Sequence, residues 1–191
     1  MMTLTPHLIT RRLLLAAALL CGFAPLAPSV SWAQSDPANT LYLDLKDGRV
    51  TIALDPVVAP KTVAHIQELV RKGFYNNTPI HRVIPGFMAQ MGDPTGTGGG
   101  PGSGKTVPAE FGNVPFERGT VGLARTDDPN SGDSQFFIMF APHDSLNGKY
   151  TVFGKVTAGM EVVDKIKPGT DDSGLVDQPD KIIKATLGDM K

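Results

Sequence analysis

The sequence predicts a mainly β domain: a closed antiparallel sheet with two isolated helices. Three observations lead there. Short stretches alternate between apolar and polar residues, as "LYLDL" and "RVTIAL" do, the period of a half-buried strand. Helical spacing occurs in only two places, far apart in the chain. Helices do not alternate with the strands, so the regular crossovers of a doubly wound parallel sheet are missing.

Taken in order, "LYLDLKDGRVTIAL" reads as two strands around Asp47-Gly48, a strong two-residue turn signal. Pro60 then opens "PKTVAHIQELVRKGFY", with Val63, Ile66, Leu69 and Val70 on one helical face. Proline suits the first turn and Gly73 the stop. "PIHRVIPGFMAQMGD" places short strands on either side of Pro85-Gly86, and a glycine-rich segment runs from Gly92 to Thr106. "GTVGLART", "SQFFIMF" and "YTVFGKV" are three further strands. "GMEVVDKIK" is a short helix and "DKIIKATLGDM" a closing strand. There is no internal repeat.

The first residues differ in kind. Arg11 and Arg12 precede an apolar run, Leu13–Ala24, and Ser31-Trp32-Ala33 has the small-x-small form of a secretory cleavage site. The run is shorter than the ~20 residues that cross a bilayer. Residues 1–33 are therefore expected to be a cleaved signal peptide, with residues 34–40 a flexible lead-in and residues 41–191 the domain. The paired arginines also permit twin-arginine export. Cys21 follows Leu20 rather than a small residue, which argues against lipid attachment. Cys21 is the only cysteine among the 191 residues, so its loss with the leader would leave no thiol or disulfide chemistry. A formal net charge of −1 and the lack of a basic block make nucleic acid an unsuitable partner.

"GGPGSGKT", Gly99 to Thr106, satisfies the phosphate-loop pattern at every fixed position. Such a loop works because a buried strand delivers the glycines and a helix leaves them with its positive end on the phosphates. Here "MGDPTGTG" precedes the match with no apolar strand. Pro108, Gly112 and Pro115 follow it, where a helix could not continue. No nucleotide is expected to bind.

Two other stretches carry more information. "IHRVIPGFMAQMGD" (80–93) and "SQFFIMFAPHDSLNGKYTVFGKVTAGMEVVDKI" (134–166) closely resemble the cyclophilin family of peptidyl-prolyl cis–trans isomerases. The resemblance extends from about Leu41 to the C-terminus, glycine-rich loop included. It implies an eight-stranded antiparallel closed β-barrel capped by two α-helices, in which that loop runs beside a peptide groove.

The reaction so implied is rotation about the Xaa-Pro bond, against a barrier of about 18–20 kcal/mol set by amide resonance. No covalent bond forms, so no cofactor or metal is expected. A dry pocket for the proline ring and one fixed donor that favours the twisted amide suffice. Resemblance gives Arg82 the catalytic position, and a guanidinium donates without changing protonation state. It places the proline pocket on Phe87, Met88, Phe137 and Leu146, and gives Gln90 and Gln135 the task of orienting Arg82 and anchoring the substrate backbone. Ala124 and Arg125 match the edge that pairs with the peptide main chain. Because strand residues alternate in direction, Phe136 and Ile138 are expected in the core rather than beside Phe137.

Departures from the family pattern bear on preference rather than on reaction. Ser145 stands where many eukaryotic members carry a tryptophan, which implies weak cyclosporin inhibition. Tyr150 replaces a histidine in the same wall, and Arg125 a small polar residue. His143, Asp144 and Ser145 contain the residue types of a hydrolase triad, yet neighbours on one turn cannot form the relay. His65 and His81 lie in different elements without metal-ligand spacing, and His81 is expected to be structural. The sequence thus points to an exported, periplasmic, monomeric isomerase acting on proline-containing polypeptides, with no membrane contact after cleavage. A module that merely holds such segments is the alternative, and it would not need Arg82.

Overall fold

The computed structural model describes residues 36–190. The signal peptide expected over 1–33 lies outside the described residues. The end of the polar lead-in is fastened to the domain: Pro37–Asn39 form a 3-10 turn capped by Asp36, and Gln67 Nε2 donates to the Ala38 carbonyl at 2.8 Å.

Ten strands and two helices follow: β1 (Thr40–Leu45), β2 (Gly48–Leu54), α1 (Pro60–Arg71), β3 (Thr78–Pro79), β4 (Arg82–Ile84), β5 (Met88–Met91), β6 (Thr120–Leu123), β7 (Phe136–Met139), β8 (Val152–Ala158), α2 (Met160–Val163), β9 (Lys181–Ile182) and β10 (Lys184–Leu187). The first hairpin forms one residue earlier than the Asp47-Gly48 signal implies. Lys46 and Asp47 make the turn, and Gly48, at φ +140°, opens β2 opposite Leu45. That register sets Leu41 and Leu43 against Ile52 and Val50 on the core face, and a one-residue slip would turn all of them to solvent.

Helix α1 buries Val63, His65, Ile66, Leu69 and Val70. Its N-cap Ala59 offers no side-chain acceptor, so Glu110 does the capping from a distant loop. Its two carboxylate oxygens accept the N–H groups of Lys61 (3.0 Å) and Thr62 (2.9 Å). At the other end Gly73, at φ +69°, donates to Val70 O and Phe74 donates to Leu69 O, the paired bonds of a Schellman stop.

Eight strands form one curled antiparallel sheet in the order β10-β1-β2-β8-β6-β7-β5-β4, with α1 against β10 and α2 against β2. The fold is thus mainly β with two helices, as expected. The expected closure of the barrel is not seen, because no ladder joins edge strands β4 and β10 among the described residues. The segments leading into those edges pair with each other instead, Thr78 with Ile182 and Pro79 with Lys181, and Pro79 has no N–H with which to extend that ladder. The sheet is therefore an open half-barrel. Helix α2 is a single turn, and the closing strand is interrupted at Ile183, which is half exposed.

One large apolar cluster fills the inside of the sheet, including Leu41, Ile52, Ile66, Phe136, Ile138 and Phe153. A second, of Met88, Phe116, Phe137, Met139 and Val152, lies on the other face of β5, β7 and β8. Alternation along β7 makes this division, so Phe136 and Phe137 part company as the sequence predicts.

Candidate active site

Strand registers build the site. Arg82 pairs with Gln90 across β4–β5, Gln90 with Phe137 across β5–β7, Phe137 with Gly122 across β6–β7, and Gly122 with Val152 across β6–β8. These residues form one row across the sheet, and directly paired side chains share a face. Met88 and Met139 stand in the next row but one. Gly122 leaves a gap there: a Cβ at that position would strike the Phe137 and Phe116 rings. The gap lets Phe116 lie nearly parallel to Phe137, with ring centroids 5.6 Å apart.

Above this floor is a groove of about 230 Å³. Phe87, Met88, Phe137, Leu146 and Tyr150 line it, with Arg82 and Gln90 on one side and Ala124 and Arg125 on the other. Nine of the ten residues singled out from the sequence thus converge on one concavity. Apolar side chains make its floor, while Arg82, Gln90, Arg125 and Tyr150 bring polar groups to its walls, a combination that can seat and orient a small ligand. The tenth, Gln135, lies outside it and lines a neighbouring groove of about 260 Å³, shared with Gln90, Ala124 and Arg125.

The polar side chains form a directed relay. Arg82 Nε donates to the Ser173 carbonyl (2.9 Å) and Nη1 to Gln90 Oε1 (3.2 Å). Gln90 Nε2 donates to Gln135 Oε1 (2.9 Å), and Gln135 Nε2 to the Gly98 carbonyl (3.0 Å). The guanidinium is therefore held at two corners, with its other N–H groups available to the groove. Ala124 N–H is committed to the Gln135 carbonyl.

Arg125 braces the opposite wall. Its guanidinium lies 4.6 Å from the Tyr150 ring centroid and donates twice to the Lys149 carbonyl, at 3.1 and 2.9 Å. Tyr150 in turn meets Phe137 edge-on at 5.8 Å. Phe87 is flanked by the His143 ring at 4.7 Å. His143 Nδ1 lies 2.8 Å from Ser145 Oγ, while Asp144 takes the Asn147 amide, so no triad relay exists. Among the described residues no cluster of His, Cys, Asp or Glu is placed to hold a metal.

His81, next to Arg82, is 1% exposed, and neither ring nitrogen has a partner of good geometry. Burial pushes it below the ordinary histidine value, against the pull of the Asp93 charge, so it stays a neutral imidazole behind the groove.

The glycine-rich loop settles its own ambiguity. Its N–H groups point at the protein's own carboxylates. Asp93 accepts from the backbone of Thr95 (2.9 Å), Gly98 (2.8 Å) and Gly100 (3.3 Å), and Asp133 from Ser103 (2.9 Å) and Gly104 (3.0 Å). A Cβ at Gly100 would collide with Asp93, and one at Gly102 with Asp133. The glycines thus permit close approach to internal anions, where a phosphate loop would receive a phosphate. Lys105 turns away to pair with Glu68 at 2.9 Å.

Similarity to known proteins agrees with this geometry. Residues 40–187 match the family model "Cyclophilin type peptidyl-prolyl cis-trans isomerase/CLD". The chain belongs to the cyclophilin-type isomerase family. A Brucella suis protein named "Probable peptidyl-prolyl cis-trans isomerase" is 54% identical over 167 residues, covering 80% of this chain and 84% of that one. Peptidyl-prolyl cis-trans isomerase B of Bacillus subtilis is 44% identical over 134 residues, covering 69% and 92%. Among solved structures, the cyclophilin AquaCyp293 from Hirschia baltica superposes with a TM-score of 0.74 at 29% identity, covering 82% of this chain and 77% of that one. A Cryptosporidium parvum cyclophilin, crystallised in the presence of the dipeptide Ala-Pro, gives 0.69 at 28% identity, covering 78% and 98%. This cyclophilin is accordingly a peptidyl-prolyl cis–trans isomerase.

Sequence reasoning missed three participants. Phe116 comes from a loop without strand periodicity, although the bare Gly122 in a strand was a hint that rings approach there. Ser173 contributes a backbone carbonyl, which no side-chain pattern reveals. His65, read from the sequence only as lacking metal-ligand spacing, is 3% exposed and lies against Asp133.

Proposed function

We propose that the protein accelerates Xaa-Pro rotation in exported polypeptides, with Arg82 as the catalytic donor and the Phe87–Met88–Phe137–Leu146 surface as the proline seat. The observation that carries this reading is the convergence of a doubly anchored guanidinium and an apolar, aromatic floor on one groove. As the amide twists, its nitrogen loses conjugation and gains a lone pair, which an N–H of Arg82 can meet. Held by Ser173 O and Gln90 Oε1, the guanidinium needs little reorganisation to do so, and the gain is confined to the twisted state. The proline ring rests on Phe137 and Met88 while the acyl part turns. The Ala-Pro dipeptide offered to the Cryptosporidium parvum relative is chemically the minimal substrate of such a groove. The mature protein works as a monomer without cofactor, and the leader 1–33 directs it to the periplasm.

The test is the cis–trans exchange rate of a short Xaa-Pro peptide with the purified protein and with Arg82→Ala. Acceleration that falls about a hundredfold in a folded Arg82→Ala, near 2.7 kcal/mol of lost transition-state stabilisation, is expected. An unimpaired variant would remove Arg82 from the mechanism, and an inert wild type would leave a groove that only binds. For export, the mass of the protein recovered from the periplasmic fraction should place its N-terminus at Gln34.

A further inference from the structure

The groove beside the proline seat is walled by a loop that is clamped from behind. Asp133 Oδ2 accepts the N–H groups of Ser103 and Gly104, and Oδ1 accepts the Ser103 hydroxyl. Behind that same oxygen lies His65, from the buried face of α1, with Nε2 3.2 Å from Oδ1 and 3.5 Å from Ser103 Oγ. The other ring nitrogen, Nδ1, is buried without a partner. That leaves one neutral form that fits. With the proton on Nε2, His65 donates to the carboxylate and only an acceptor is orphaned. With it on Nδ1, a buried donor would be orphaned and a lone pair would face Asp133.

Helix, carboxylate and loop are therefore joined at one point. The joint bears on the neighbouring groove rather than on the aim of Arg82. The Gly98 carbonyl ends the Arg82–Gln90–Gln135 relay, but Asp93 fastens Gly98 separately, accepting its N–H at 2.8 Å. Asp133 holds the next part of the loop, Ser103 and Gly104, and with Gly100, Gly102, Ala124 and Arg125 it lines the neighbouring groove. A glycine-rich segment has more backbone freedom to lose than any other, so its position depends on such fastenings.

We propose that His65 and Asp133 are positioning residues, a latch that fixes the glycine-rich loop and so sets how the enzyme handles the part of a peptide extending past the prolyl pair. The proposal rests on the reading of the Arg82 groove as the active site. A blocked dipeptide, acetyl-Ala-Pro-amide, fills only the proline seat. A hexapeptide, Ala-Ala-Ala-Pro-Ala-Ala, also reaches the neighbouring groove. The latch thus predicts an effect that depends on substrate length, which a general loss of stability would not give.

The experiment measures exchange of both peptides by NMR with the wild-type protein, His65→Leu, His65→Gln, Ser103→Ala and Arg82→Ala. In His65→Leu, kcat/KM for the hexapeptide should fall about fivefold, through KM, while the dipeptide changes less than about twofold. His65→Gln keeps a neutral N–H at similar reach and should retain hexapeptide activity within about twofold of wild type. Ser103→Ala removes one hydroxyl from a partly exposed loop and should lower the hexapeptide value about threefold. That variant carries the test should His65→Leu fail to fold. Equal losses for both peptides, or no loss in Ser103→Ala, would overturn the latch. Full activity of Arg82→Ala on the dipeptide would overturn the site reading itself, a result that the latch variants cannot produce.

Discussion

Arg82 and Gln90 stand directly opposite each other in the β4–β5 ladder, and Arg82 Nη1 donates to Gln90 Oε1 at 3.2 Å. The glutamine thereby links the proposed catalytic cation to the centre of the sheet, since its own N–H reaches Gln135 and, through it, the glycine-rich loop. A long side chain on an edge strand would otherwise sample many rotamers, and each would have to be abandoned as the amide twists.

That relationship predicts the phenotype of Gln90→Ala. Arg82 keeps its bond to Ser173 O but loses the second anchor, so the cation remains present and less well aimed. An interaction used mainly in the transition state affects kcat, whereas uniform binding affects KM. We expect kcat to fall about tenfold with KM changed less than about twofold. A change confined to KM would show that Gln90 holds the peptide rather than Arg82.

Gly122 gives a steric prediction. Any Cβ there meets the rings of Phe137 and Phe116, both buried, so the floor of the proline seat must shift. Overpacking of this kind costs about 1–3 kcal/mol. Gly122→Ala should lower the thermal midpoint and raise KM for even the shortest Xaa-Pro substrate. An unchanged midpoint with unchanged KM would mean that the ring pair is free to move.

Acid should act on stability before it acts on chemistry. Burial holds His81 below the ordinary histidine value despite the opposing charge of Asp93. For Asp93 burial pushes the carboxyl up, but bonds from the Thr95 hydroxyl and from backbone N–H groups outweigh it, and the net direction is down. Both groups thus bind protons more weakly in the folded state, so in acid the unfolded chain takes up more protons and stability rises with pH. The His81 contribution is complete above about pH 6.5 and declines below it; that of Asp93 is complete above about pH 4 and is lost as pH falls through its folded value. The unfolding midpoint should therefore begin to drop below about pH 6.5, and drop further in stronger acid. Meanwhile kcat/KM should stay flat from about pH 6 to 9, because no titrating side chain takes part in the step. A bell-shaped profile centred near neutrality would implicate an imidazole instead.

Much of this was legible from residue order, and the reasons are particular. The resemblance places Phe137 in the groove, and alternation then sends Phe136 to the core. The 80–93 and 134–166 stretches carry nearly all of the site because β4, β5 and β7 are neighbours in the sheet. What stayed hidden depends on contacts between distant segments. Glu110 caps α1 from 49 residues away, and His65 meets Asp133 across 68. Strand ends were read less well than strands: the first turn moved by one residue because core packing fixes the register, and the barrel stays open because a separate two-residue ladder containing a proline forms where its edges would meet. Local turn chemistry does not encode either outcome.

The phosphate-loop resemblance allows a last prediction, in which an expected null result is informative. Nucleotide binding at "GGPGSGKT" would need free N–H groups and a free lysine. The backbone donors of Gly98, Gly100, Ser103 and Gly104 already serve Asp93 and Asp133, so a phosphate there would approach two carboxylates. Lys105 is paired with Glu68, whose carboxyl is held down to about 2 by Lys72 and Lys105 together. Both partners of that pair are well exposed, so breaking it should leave the unfolding midpoint within error. We therefore expect calorimetry with ATP and magnesium to give no heat of binding, and Lys105→Ala to isomerise prolyl peptides at the wild-type rate. Measurable ATP affinity that disappears in Lys105→Ala would mean that the loop can exchange its internal anions for an external one, and the glycines would then have a second use.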